Sequence, residues 1–122
     1  MSAHFIPFQM FDDDVSDAWF GGIIGYWAGI RAWYALVATL NQDDDLYDEL
    51  RVADGYVLAD SIKEFAEAIR HVDPATLPLK NVDYLQGIPE NEQEQWIRDC
   101  AARLKEVILD CAEKGRGILH FH

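Results

Sequence analysis

Carboxylates are the residues in this chain best placed to do chemistry. Asp12-Asp13-Asp14 and Asp43-Asp44-Asp45 form two triads, with Asp17, Asp48, Glu49 and Asp54 in the same half. Residues 1–60 hold eleven Asp/Glu against Arg31 and Arg51 alone, while residues 61–122 hold eleven against eight cations, within a whole-chain net charge of −12. Carboxylates gathered with so few local cations attract a cationic partner and repel nucleic acid. Metal binding is the rival chemistry. Neither triad continues with the Gly at position six and the Glu at position twelve that an EF-hand loop requires. Glu64-x-x-Glu67 and the i, i+4 pair Glu106 and Asp110 would each share a helix face, an arrangement able to hold magnesium beside a second acidic pair. Lys63 and Arg70 stand beside the first pair, so a solvated helix face explains it more simply.

Other reactive types are sparse. His120-x-His122 would place both imidazoles on one side of a strand, which can ligate zinc or nickel, but the pair lies at the chain end, where fraying dominates. His71 is expected at a helix C-terminus, bonding free carbonyls. There is no Ser elbow, P-loop or Cys-x-x-Cys, and the serines are Ser2, Ser16 and Ser61 only. No catalytic residue, metal ligand or cofactor is assigned from the sequence. Cys100 and Cys111 fall on one helix, about 16 Å apart along its axis. A disulfide needs Cα atoms within about 7 Å, so both are expected to be free thiols, which fits a reducing, cytoplasmic compartment.

Aromatic residues crowd the segment between the triads. Trp27 and Tyr34 are seven apart and project together, with Trp33 on a neighbouring face. They are candidate aromatic anchors for a partner, since such residues ringed by acids suit recognition. A core role is the simpler reading for each. Residues 18–40 are long and apolar enough to span a bilayer. Arg31 near the middle and acids on both flanks favour a buried helix in a protein that does not enter the membrane.

The elements that must position these residues follow from patterning. A chain of 122 residues, half of them apolar, is one domain with a substantial core. Residues 1–15 read as an N-terminal arm, an edge strand interrupted by Pro7, followed by a polar break in which Asp14 or Ser16 caps a helix. Apolar residues at 26, 30, 33, 37 and 40 predict a buried helix over 26–41, beginning as early as residue 18. Asp54-Gly55 signals either a hairpin, a single strand after a turn, or the end of a helix over 46–53. Ser61-Ile-Lys-Glu64 reads as a capping box opening a helix that Asp73-Pro74 ends. Residues 73–89 form a Pro-containing connecting loop anchored by Leu77, Leu79, Val82, Tyr84 and Leu85. A long helix follows Pro89, with an apolar stripe of Trp96, Ile97, Cys100, Ala101, Leu104 and Ile108, and Gly115 as its C-cap. Residues 117–122 return as a strand.

The expected fold is therefore α+β and predominantly helical: three or so amphipathic or buried helices with a β-hairpin or short sheet involving the termini. A pI near 4.4 argues against direct contact with nucleic acid or an anionic membrane. The expected function is that of a small acidic binding protein that neutralises a basic partner by electrostatic docking. The partner would be a toxin, a nuclease or a nucleic-acid-binding complex, as for immunity proteins, antitoxins and phage inhibitors of nucleic-acid enzymes. The docking residues are Asp12, Asp13, Asp14, Asp17, Asp43, Asp44, Asp45, Asp48 and Glu49. Two alternatives stand beside it. One is a ligand- or nucleotide-handling protein with an aromatic pocket around Trp27, Trp33 and Tyr34, including a magnesium-dependent hydrolase using Glu64, Glu67, Glu106 and Asp110. The other is an assembly protein that forms a homodimer through the aromatic segment.

Overall fold

A computed structural model describes residues 4–11, 14–16, 27–51, 55–80 and 82–121. Within them the chain runs β1 (His4–Phe11), β2 (Asp14–Ser16), α1 (Trp27–Val37), α2 (Asp45–Leu50), β3 (Gly55–Val57), α3 (Ala59–Ile69), α4 (Glu90–Lys114) and β4 (Arg116–Phe121), with a 3₁₀ turn at Pro74–Thr76. The predominantly helical α+β class is what the sequence led us to expect.

The strands form one antiparallel sheet in the order β2-β1-β4-β3, so the two ends of the chain lie side by side at its centre. Pro7 pairs with Ile118, and among the described residues β2 reaches β1 at Gln9–Phe11, so within them the proline has a strand neighbour on one side only. Asp14 is followed by Val15 and Ser16 in β2, which corrects the helix-capping role expected of it, while the residues after Ser16 that a cap there would serve lie outside the described residues. Gly55 opens a strand, β3, paired with β4 through Val57 and Ile118, and α2 ends at Leu50, while Asp54 lies outside the described residues. Period-two alternation buries Phe5 and Ile118 with Val57, while Tyr56 faces solvent.

The helices cover that buried face. Trp33 is the keystone: it has no exposed surface, stacks on Phe5 at 5.1 Å and meets Phe65 edge-on at 5.2 Å. Its indole N–H donates to the Leu50 carbonyl at 2.9 Å, so even its polar atom is satisfied. Along α3, Ile62, Phe65, Ala66 and Ile69 are buried, as their spacing demands. The helix begins at Ala59 with Leu58 in the cap position, one turn ahead of the expected capping box. Ser61 instead donates to Glu49 at 2.6 Å, tying α3 to α2. Gly115 closes α4 in the left-handed conformation at φ 69°, its N–H returning to the last turn, and turns the chain directly into β4.

Two positions on α4 depart from the expected apolar stripe. Trp96 is 43 % exposed, while Gln93, a polar residue, is completely buried. Gln93 Oε1 accepts from the Leu85 N–H at 2.7 Å, and its Nε2 donates to the carbonyls of Leu85 and Ile88 at 3.0 and 2.8 Å. That saturates the amide and closes the loop before the helix. Gln93→Ala strands three backbone groups, and is expected to cost about 2 kcal/mol in chemical denaturation. A loss below about 0.5 kcal/mol would show that water replaces the amide freely.

Candidate functional site

Two surfaces emerge from this framework. The first is the acidic segment 41–49. Asn41 Oδ1 accepts from the Asp43 N–H at 3.1 Å, and Asp44 Oδ1 accepts from the Leu46 N–H at 3.3 Å as the N-cap of α2. Asp45 and Asp48 sit in the first turn, where the helix dipole favours negative charge. Leu46 and Leu50 point into the core, which leaves Asp45, Asp48 and Glu49 on the opposite, solvent-facing side of this short helix. Capping therefore explains Asp44, and the dipole eases Asp45 and Asp48.

No ion pair among the described residues uses Asp43, Asp45, Asp48 or Glu49. The nearest cation in sequence, Arg51, instead lies over the Tyr47 ring at 5.2 Å. The result is a run of exposed carboxylates whose mutual repulsion no described cation relieves. Asp14 opens β2 and Trp27 opens α1, while Asp12, Asp13 and Asp17 lie outside the described residues, so any meeting of the two acidic segments lies outside them too. Trp33 is a correction: fully buried and hydrogen-bonded, it serves the core and presents nothing to a partner.

The second surface is a cleft of about 530 Å³ between α1 and residues 78–83. Ala32, Trp33, Leu36 and Val37 turn one face of α1 into the core. Its other face supplies Ile30, Arg31, Tyr34 and Ala35, with Ala38 and Thr39 just beyond the helix end. Thus α1 is apolar around most of its circumference because one side fills the core and the other lines a cavity. The opposite wall is Pro78, Leu79, Lys80, Val82 and Asp83. Side chains of α4 hold the chain in place on either side of that wall: Arg98 Nε donates to the Leu77 carbonyl at 3.2 Å, and Gln93 grips Leu85. Lys105 adds a third tie, donating to the Val72 carbonyl at 2.8 Å. Burial lowers the pKa of Arg31, and the neighbouring Asp83 carboxylate partly restores it. Sequence patterning placed Tyr34 in a pocket but missed Arg31, Lys80 and Asp83; the one signal was a lone arginine inside an apolar helix.

The four carboxylates considered for magnesium do not converge. Glu67 pairs with Arg70 at 3.1 Å, Asp110 with Lys114 at 3.0 Å, and all four acids are exposed. No three His, Cys, Asp or Glu among the described residues come together as a metal site. His71 is exposed, and His122 lies outside the described residues. No described helix is long and apolar enough to cross a membrane.

Both cysteines are free thiols. Burial, reinforced by Asp110, pushes the Cys111 thiol up to about 11, and Cys100 is raised by the same cause. A raised value leaves less thiolate at any given pH. Against an ordinary thiol near 8.5, Cys111 at pH 8 is expected to react with a disulfide reagent at least about a hundredfold more slowly, accelerating with pH up to about 11. Equal rates in native and denatured protein would contradict its burial.

No family model matches this chain, and no curated protein or solved structure is significantly similar to it.

Proposed function

We propose that this is a small acidic binding protein that neutralises a basic protein partner by electrostatic docking, with the segment from Asp43 to Glu49 as its contact surface. The observation that carries the reading is the exposure of Asp43, Asp45, Asp48 and Glu49 without any ion pair among the described residues. Like charges on one side of a short helix repel, and a Lys/Arg surface on a partner removes that repulsion while gaining attraction of its own. Asp44 holds the segment in shape as a cap, so the charges arrive preorganised.

The partner class follows from the chemistry. A surface built to meet this segment carries clustered cations, the kind of surface that otherwise holds phosphate, as in a nuclease, a basic toxin or a nucleic-acid-binding complex. Occupying that surface blocks it. The test is the rate of association with the partner at increasing ionic strength. Steering by exposed charges is screened beyond about 8 Å at physiological salt, so the rate falls steeply as salt rises. A rate indifferent to salt would sink this mechanism.

A further inference from the structure

The cleft beside α1 carries a second, separate inference, independent of the docking reading. We propose that it binds a small amphipathic monoanion: a carboxylate on an aliphatic or aromatic body. Its volume of about 530 Å³ falls within the range of small-molecule sites, and its walls are mainly apolar, with Ile30, Ala35, Leu79 and Val82 available to an apolar body.

The charge of the cleft points to the sign of the ligand. Acids outnumber Lys and Arg by 22 to 10 over the whole chain, yet among the described residues this lining holds Arg31 and Lys80 against Asp83. The local balance is reversed on a protein whose overall field repels anions. Arg31 is one of only two cations in residues 1–60. Its guanidinium is partly stripped of water and feels the Asp83 carboxylate, and a charge so desolvated attracts a carboxylate more strongly than one in bulk water. Lys80 approaches from the other wall, and the Tyr34 and Thr39 hydroxyls add neutral polar groups to the lining.

Geometry favours a monoanion over a phosphate. Asp83 shares the lining with Arg31 and Lys80, so a second negative charge meets repulsion there, and the negative dipole at the C-terminal end of α1 disfavours an anion at the far end. From Arg31 to Ala38 is about 10 Å at 1.5 Å per residue, roughly the length of an extended eight-carbon chain. The carboxylate lies at the Arg31 end, with the chain along Ala35 and Ala38 against Leu79 and Val82.

A matched series tests this on the full chain: octanoate, octanol and octylamine titrated against isotope-labelled protein, followed by amide chemical shifts. Octanoate is expected to saturate and to move the amides of residues 30–39, 79, 80, 82 and 83. Octylamine is expected to bind at least about tenfold more weakly, despite the attraction of the net negative protein. Lys80→Glu, at an exposed position, is expected to weaken octanoate several-fold, with changes in the free protein's spectrum confined to amides beside position 80. Ala38→Trp, which fills the cleft, is expected to abolish the shifts. Octylamine or octanol binding as tightly as octanoate would overturn the proposal. So would shifts outside the cleft, or an octanoate affinity unchanged in Lys80→Glu.

Discussion

Exchanging Asp43, Asp44, Asp45 and Asp48 together for asparagine is expected to weaken capture of the basic partner on the order of a hundredfold at low salt. The magnitude comes from four exposed charges at about 0.7 kcal/mol each, since single exposed pairs contribute up to about 1 kcal/mol. Asparagine is chosen over alanine because Asp44 caps α2 through its side-chain oxygen, and the amide oxygen introduced by Asp44→Asn accepts the same bond. The variant should therefore keep its helix, its melting temperature and the Ser61–Glu49 bond, and lose only charge. Most of the loss should appear in the association rate, where screened steering acts. Unchanged affinity in a folded variant would remove the acidic segment as the contact surface.

Trp33→Ala is expected to destabilise the fold by about 4 kcal/mol, the upper range for deleting a buried aromatic. Three losses coincide at one site. The indole leaves a cavity between Phe5 and Phe65, both ring contacts disappear, and the Leu50 carbonyl loses its donor in the protein interior. For a chain of this size that corresponds to a fall in melting temperature on the order of 15 °C, and it is a large share of the roughly 5–15 kcal/mol typical of a domain. Trp33→Phe keeps a ring between the same neighbours and loses mainly the hydrogen bond, so about 1–2 kcal/mol is expected. The order Ala, then Phe, then wild type in thermal melts checks the assignment. A melting point within about 3 °C of wild type for Trp33→Ala would contradict the placement of this residue at the centre of the core.

Much of the scaffold was legible in the sequence because periodicity and termination signals agree there. The apolar spacing of α3 survives intact, and Gly115 ends α4 where a residue with positive φ is needed. Of the strand expected over residues 117–122, residues 117–121 return within β4, and His122 lies outside the described residues. The failures have physical causes. Ser61 and Glu64 carry the letters of a capping box, yet Ser61 finds a partner in Glu49 across α2, a contact that local spacing does not encode. Trp96 sits beside the apolar stripe of α4 and is nonetheless 43 % exposed, because helical spacing alone does not say how far a packed face extends. Gln93 looks like a surface residue until the loop carrying Leu85 folds over it. Trp33 and Tyr34 are adjacent in sequence and similar in composition, yet helical rotation sends one into the core and the other to the cleft. Arg31 was legible only as an exception in an apolar run. Its partner wall comes from residues between 78 and 83, distant in sequence, and hydrogen bonds from α4 together with the buried Leu77 hold it there.

The central claim rests on charge that faces outward for a partner's benefit. Its most direct test immobilises the wild-type protein and the four-asparagine variant side by side, exposes both to a lysate of the native cell at low salt, and elutes with rising salt. The expected result is one stoichiometric basic protein, held by the wild type, released along the gradient and absent from the variant. Retention of the same protein by both forms, release that does not depend on salt, or no basic protein on either would contradict the account.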